Sequence, residues 1–579
     1  MNKLNKNPNY QNSHGYSLFE EHHTLNFSSA PGMVLPVLYD ILNPGDKIDC
    51  DLVLKSRTLP LSGSAYMELQ ENVDFFFVPI EQIYHNFGNQ YYGIRDFSSD
   101  FFTSSSSAVP YFPYTTVQRL FTAISNLPNQ YQPFTGYSSL SKSEALRLLE
   151  CLGFPIKNML YYGASEDRTV SVAPFLLAAY QKICYDYFRD DNRVANEVEA
   201  YNFDSLWNAT DTSSVGVFSE ERLKKLLTLH YVPYQRDFFT NIFVSPLQGQ
   251  QDIGSYGSNA LSQINQWLSG ASLIRTLQPS TTAGQPAATT TTPTTVSSPV
   301  VGTNQPTVTQ LGNIMNPAVI RTTFAAEKIF EVLRRAGKHY DAQTLANFGV
   351  KVPNGIAGEA MFINHFSTAL NIGDVVSTAN TAPDGELSPL GEIAGRGWSY
   401  DKGKGNKFTA PSHGILMAVY YSYPKVKYVQ AGLDKLNCLV NPADWYRPQV
   451  DNLGMQPLFK YQSELQRTVV DNSAIVGWQY RFSELKQKYS RVIGNLAGSL
   501  KYWSFQKNPV RSNNASEFYV SPKVLNNLFE FEYSGVMEEE PQPFDVQYNS
   551  IYEFDPLYHD IYFNYNKSSK MSAYGLPSL

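Results

Sequence analysis

The chain has 579 residues, a formal net charge of −7, 17% charged residues and 14% aromatic ones. So little charge with so many Phe, Tyr and Trp excludes a disordered chain and points to aromatic burial, in a core or between subunits. The acidic balance excludes a protein that grips nucleic acid over its whole surface, so such contact must be local or supplied by a partner.

The Asn-rich start (MNKLNKNPNYQNS) carries Lys3 and Lys6, which read as a solvated terminus rather than a basic arm. It lacks the apolar core of a signal peptide, and no uninterrupted apolar run approaches ~18 residues. The expectation is a soluble chain that is not exported by a cleaved signal and does not insert into a membrane. His22-His23 is an adjacent pair, which a strand splits between its two faces, so a shared metal is not expected.

From about Met33 to Pro79 the sequence reads as β. Ile48, Cys50, Leu52 and Leu54 alternate with polar residues, giving one wet face, and the turn residues Pro44-Gly45-Asp46 precede them. Val73–Val78 (VDFFFV) is a short aromatic run ended by Pro79, as a buried strand requires. Residues 80–412 read as insertions and loops with helices and intervening strands. Within them, Ser141-Lys-Ser-Glu144 is a capping box ahead of Ala145–Leu149, with Gly153 as the stop.

Pro174 is placed for a first helical position. Leu176, Tyr180, Ile183 and Tyr187 then recur at helical spacing, predicting one apolar face. Glu220–Leu229 is another candidate helix, and Ala326, Ile329, Phe330 and Leu333 stripe a third, with Glu331 set to pair with Arg335. Residues 276–320 contain no charged residue and are rich in Thr, Pro and Ser, so an exposed, extended excursion is expected there. Residues 413–579 form a second β-rich zone, including Ile415–Tyr423 and Ile561–Tyr565. Strands at both ends with helices between them suggest a single domain with insertions.

No catalytic pattern stands out. The nine histidines show no H-E-x-x-H spacing, and Gly403-Lys-Gly-Asn-Lys407 lacks the phosphate-loop frame, so it reads as a flexible basic loop. Cys50, Cys151, Cys184 and Cys438 are far apart, with no CxxC pair, and are expected to be reduced, buried thiols. Glu538-Glu539-Glu540 reads as a solvated loop. No catalytic residue, cofactor or metal is nominated, and a structural protein is expected.

Several blocks, taken in order, resemble the major capsid proteins of the Microviridae, the small single-stranded DNA phages. Val170–Asn192, with Pro174, Tyr180, Ile183, Phe188, Arg189 and Asp190, is similar to the family's P-x-R-A-Y-x-x-I-x-N-x-x-F-R-D block. Met33–Ile48, with Pro44, Gly45 and Asp46, resembles G-x-L-x-P-x-x-x-x-x-x-x-P-G-D, and Asp74–Pro79, with Phe76, Phe77 and Pro79, resembles F-F-x-P. Arg236–Thr240, with Asp237, Phe239 and Thr240, followed by Pro246 and Gln248-Gly249, resembles R-x-D-Y-F-T-x-x-L-P-x-P-Q-x-G. Tyr340–Val350, ending Phe348-Gly349-Val350, resembles R-Y-x-E-x-x-x-x-x-F-G-V, and Ser388–Gly397 resembles P-L-G-x-x-A-G-x-G. Asp444–Pro448 with Leu453, Gly454 and Gln456 is similar to D-Y-x-x-P ahead of L-G-E-Q, although Met455 replaces the usual Glu. Val476–Gly494 resembles G-Y-Q-x-R-Y-x-E-Y-R-x-x-x-x-x-V-x-G, and the ending through Pro577 resembles R-x-M-P-x-Y-x-x-P. The opening lacks the family's D-L-S-H motif, which suggests a divergent branch.

The resemblance implies a mainly β chain, an eight-stranded antiparallel jelly roll of the viral capsid type with long insertions containing helices. It implies self-assembly through pentamers into a T=1 icosahedral shell, with a circular single-stranded DNA genome on the inner face. It further implies a scaffolding protein, a DNA pilot protein, a small basic DNA-binding protein and a host surface receptor as partners, and assembly in the bacterial cytoplasm. Around Leu247–Asn316 an insertion is expected to meet the host. The rival reading is a secreted β-sandwich adhesin or glycan-binding protein; it predicts a signal peptide that the opening does not show.

Overall fold

The computed structural model describes residues 15–59, 68–92, 112–128, 136–162, 170–206, 218–246, 340–353, 358–376, 393–440, 444–451, 454–467, 472–524 and 555–571, with a few isolated positions between them. Contacts divide the chain into two units. The first comprises Met1–Val244, Val352–Tyr446 and Pro457–Leu579; the second comprises Ser245–Lys351 and Arg447–Gln456.

In the first unit, nine strands join one antiparallel sheet: β1 (Ser17–Glu20), β2 (His23–Ser29), β3 (Leu35–Leu42), β4 (Lys47–Thr58), β5 (Glu68–Pro79), β6 (Met361–Val376), β7 (Ile393–Thr409), β8 (Gly414–Pro424) and β9 (Leu557–Ser569). β1 and β2 both pair with β9, at its opposite ends, and act as one interrupted strand. Counted that way, eight strands run in the spatial order β1/β2–β9–β4–β7–β6–β5–β8–β3. In chain order this is 1-8-3-6 followed by 5-4-7-2, the two interleaved four-stranded sheets of a jelly roll.

The two sheets are joined where β6 and β7 change partners. β6 pairs with β5 from Met361 to Asn371 and with β7 from Asn371 onward; β7 pairs with β6 up to Trp398 and with β4 from Trp398 onward. Gly397 occupies this corner. A Cβ there would lie 2.5 Å from a Leu370 methyl and 2.7 Å from a Thr58 methyl, and the Gly397 N–H donates to Thr58 Oγ1 at 2.8 Å. Only glycine lets the three strands approach so closely.

The alternation in β4 behaves as its spacing predicts: Ile48, Cys50, Leu52 and Leu54 point into the barrel and Lys47, Asp49, Lys55 and Arg57 point out. They meet Phe75 and Phe77 of β5, Leu416, Ala418 and Tyr420 of β8, and Ile561, Phe563 and Tyr565 of β9. β5 and β8 are buried on both faces, because Phe76, Val78, Met417 and Val419 face a second core under the helices. Burying each large side chain contributes roughly 1.5–3 kcal/mol.

That second core is covered by α1 (Val117–Ser125), α2 (Lys142–Cys151), α3 (Phe175–Ile183) and α4 (Glu220–Leu226). The capping box at Ser141 and Glu144 is formed in full, and α2 stops just before Gly153. α4 ends earlier than expected, since Leu229–His230 leaves it as a short strand paired with Ser138–Ser139.

Three readings are corrected. Pro174 is the residue before α3 rather than its first helical residue. α3 has no single apolar face: Leu177, Ala178, Ala179 and Gln181 are as buried as Tyr180 and Ile183, because the helix is enclosed between β5, β8 and the neighbouring helices. Gly403–Lys407 is part of β7 rather than a loop; a bulge between Gly403 and Asn406 absorbs the extra residues while Lys407 pairs with Asp49.

In the second unit, Tyr340–Phe348 forms α5. The striped candidate helix there is described only at isolated positions; Ile329 is helical and exposed, while Ala326, Phe330 and Leu333 lie outside the described residues. Residues 276–320, the acidic run at Glu538–Glu540 and Pro577 also lie outside them.

Candidate functional site

The side chains singled out in the sequence assemble junctions rather than a reaction centre. α3 runs into a five-residue π turn, Cys184–Phe188, whose extra residue re-aims the chain beyond it. Tyr187 is therefore half-exposed, its ring against Phe76 and Phe362, while Phe188 turns edge-on to Tyr421. Tyr180 Oη donates to the Val34 carbonyl at 2.9 Å and accepts the His230 N–H at 3.1 Å. Ile183 is fully buried beside it.

Arg189 donates to the Val194 carbonyl at 2.8 Å and pairs with Asp191 at 2.5 Å. The Asp190 N–H donates to Tyr519 Oη at 2.6 Å, and its carboxylate holds Arg193 at 2.5 Å. Arg193 in turn donates to the Ile242 carbonyl and lies 3.5 Å over the Phe518 ring. Ile242 lies just past the 236–240 block. There Asp237 Oδ1 accepts the N–H groups of Phe239 and Thr240, both at 2.9 Å, and Oδ2 accepts Tyr428 Oη at 2.7 Å. Phe239 packs on Tyr428 and Tyr489. Blocks near residues 34, 180–193, 237–242 and 519 thus close on one another.

The other described motif positions lie in turns, in strands and on the second unit. Gly45 turns between β3 and β4 with φ +89°, a conformation that favours glycine, and Asp46 Oδ2 accepts the Asn43 N–H at 2.9 Å. Phe77 fills the barrel core, Phe76 faces the helices, and Pro79 ends β5. In the second unit, Phe348 and Val350 are exposed around Gly349, Gly454 has φ +108°, Gln456 is buried, and Leu453 lies outside the described residues.

Sequence reasoning missed the buried polar groups. Inside the barrel, Glu71 accepts Ser399 Oγ at 2.7 Å and Tyr420 Oη at 2.9 Å, with His559 Nδ1 at 3.3 Å. Burial alone pushes the Glu71 carboxyl up, but the hydrogen bond and charge of His559, with Ser399 and Ser56, outweigh it and hold the group below its usual range. Arg147 and Asp555 form a two-pronged pair at 2.6 and 2.8 Å, both fully buried. His230 is packed against Tyr137, Tyr180 and Tyr185, and burial pushes its imidazole down to about 3. The available signal was Glu71-Asn72-Val73-Asp74, acids inside an otherwise apolar strand.

The outward face of the sheet β1/β2–β9–β4–β7 is exposed. Its rows, read across the strands, are Ser28–Tyr558–Arg57–Trp398, Asn26–Asp560–Lys55–Tyr400 and Thr24–Tyr562–Val53–Lys402. Trp398 and Tyr400 are 66% and 60% exposed, Tyr558 and Tyr562 45% and 39%.

Among the described residues no group of three or more His, Cys, Asp or Glu side chains is placed to hold a metal, and no helix is long and apolar enough to cross a membrane. Cys50 and Cys184 are buried as expected, whereas Cys151 and Cys438 are partly exposed.

The strand order is that of an antiparallel jelly roll, an architecture that capsid and lectin domains share, and the distinctive side chains tie its distant segments together. The family model for the phage capsid protein (F protein) matches residues 162–579, so the chain belongs to the F-type capsid protein family of the Microviridae. No curated protein matches the chain.

Proposed function

We propose that the chain assembles through pentamers into a T=1 icosahedral shell around a circular single-stranded DNA genome. The carrying observation is the jelly-roll order combined with family membership over residues 162–579. Repeated heterologous contacts that close on themselves build such a shell. Exposed aromatic and aliphatic side chains such as Val440, Trp445, Tyr446 and Ile493 suit the contacts between copies. The mechanism is assembly, without turnover, in the host bacterial cytoplasm. A scaffolding protein, a DNA pilot protein and a small basic DNA-binding protein complete the particle, and the insertion around Leu247–Asn316, outside the described residues, contacts a host receptor.

Velocity sedimentation and negative-stain microscopy of the full-length chain, alone and with its scaffolding partner, test this. Rings or closed shells of uniform size are expected; a monomer under both conditions would overturn the reading.

A further inference from the structure

We propose that the outward face of the sheet β1/β2–β9–β4–β7 is a stacking surface for single-stranded DNA. Trp398, Tyr400, Tyr558 and Tyr562 are the base platforms, and Arg57, Lys55 and Lys402 are the phosphate partners. The inference rests on the shell reading, in that it locates the genome contact on the subunit.

The two sheets of the jelly roll treat their outer faces differently. The companion sheet buries its outer face under helices, as Phe76, Val78, Met417 and Val419 show. The β4 and β9 strands instead alternate buried and exposed, so one whole face meets solvent. An ordinary solvated face carries small polar and charged side chains. This one carries four large aromatic residues within three rows, and their rings gain nothing from exposure to water.

The placement of those rings is regular. Within a strand, Trp398 and Tyr400 are two residues apart on β7, and Tyr558 and Tyr562 are four apart on β9. Alternate residues on a strand are about 6.8 Å apart, twice the ~3.4 Å step of stacked bases. A nucleic acid strand drawn out along β7 therefore meets one ring per base. Aromatic faces accept any base, so this geometry gives affinity without sequence preference.

Cations stand between the rings. Arg57 lies between Tyr558 and Trp398, Lys55 between Asp560 and Tyr400, and Lys402 ends the third row. Over these rows three basic side chains face one acid, against a chain whose net charge is −7. Lys55 and Asp560 are paired at 3.3 Å, but both are substantially exposed, and such pairs are weak enough to yield to a phosphate. The next acid on this face, Asp51, accepts the Gly405 N–H at 3.0 Å.

A second copy of the chain is the competing occupant. Interface centres are depleted in Lys and enriched in apolar contact. Here Lys55, Lys402, Thr24, Asn26 and Asp560 are interleaved with the rings, and Val53 is the only aliphatic side chain in the three rows. That composition favours a wet, charged ligand with flat apolar faces.

The test uses the full-length chain, a fluorescent oligothymidylate of about thirty nucleotides, several times the span of one stacking groove, and anisotropy over a range of salt concentrations. Trp398→Ala with Tyr400→Ala is expected to weaken binding about tenfold or more. Trp398→Phe, which keeps an aromatic face, should stay near wild type. Arg57→Ala and Lys402→Ala should each weaken binding and lower the dependence on log salt by about 0.7. Leu465→Ala, 60% exposed on the first unit and outside this sheet, should leave DNA binding unchanged. Unchanged affinity in the double variant overturns the inference. So does a double variant that binds DNA normally but no longer assembles, because that assigns the face to a second copy. Circular dichroism confirms that each variant folds, and the Arg57→Ala and Lys402→Ala salt slopes carry the comparison should the double variant not fold. Failure of the shell reading shows separately, as absence of rings or shells when the wild-type chain is sedimented both alone and with its scaffolding partner.

Discussion

His230 shows how single residues here are specified by their partners. Gln181 donates to the carbonyls of Leu226 and Thr228, which leaves its own oxygen to accept from His230 Nε2 at 2.5 Å. The imidazole is thereby fixed as the neutral form protonated at Nε2, and Nδ1 has no hydrogen-bond partner among the described residues. With a folded pKa near 3 against about 6.5 unfolded, the unfolded chain binds the extra proton throughout that window. Stability contributed by the neutral ring is present above about 6.5 and is lost as pH falls toward 3, by about 1.4 kcal/mol per pH unit. Urea titrations of wild type and His230→Phe from pH 7 to 4 should show the variant less stable at pH 7 but flatter by one proton; parallel slopes would refute this. Arg147 and Asp555 make the complementary case. Arg147→Met strands a buried carboxylate and should cost about 3–5 kcal/mol, whereas Arg147→Met with Asp555→Leu should recover most of it. Denaturant midpoints of the two variants decide the matter.

At the scale of elements, the corner at Gly397 is the place where two sheets become one barrel. Gly397→Ala places a methyl within contact of Leu370 and Thr58 and should destabilise by about 1–3 kcal/mol, read as a lowered melting temperature. A wild-type melting curve would mean that β6 and β7 can part without cost. The strands that were legible are those whose own sequence records their burial: the alternation of β4, the aromatic run of β5, and the apolar β8. The capping box of α2 was equally legible because all its partners are local. β1 and β2 were not, since β2 offers only Leu25 and Phe27 as an inward pair between polar residues, too short an alternation to stand out in the sequence. β7 reads as a loop because its glycines are required by neighbours, Leu370 and Thr58 at Gly397 and Phe366 at Gly403, that are distant in sequence. The motif residues followed the same rule. Their identity was visible, but not that Asp190 meets Tyr519 or that Asp237 meets Tyr428, because nothing local encodes a contact across 329 or 191 residues.

At the scale of the whole molecule, the first sheet joins strands far apart in the chain. β9 lies between β2 and β4, with Leu557 opposite both Ser29 and Thr58, so the first sheet is incomplete until residues 557–569 are available. Such non-local pairing carries a high loop-closure cost and slows folding. Removing residues 556–579 takes Ile561, Phe563 and Tyr565 out of the barrel core and leaves β2 and β4 with bare edges. Each lost large side chain costs about 2–5 kcal/mol, against a total stability of about 5–15 kcal/mol for a folded domain. The truncated chain should therefore be insoluble or aggregated, since exposed strand edges pair with other chains. Deleting Gln278–Gln310, within the second unit, removes no strand and no core residue of the first. That deletion should leave the melting transition of the first unit and particle formation intact while impairing attachment to host cells. Sedimentation and attachment assays on the two variants separate the roles: loss of particles on deleting the Thr-rich segment would make it part of the shell, and a soluble, folded truncation would show that β9 is not the strand that completes the barrel.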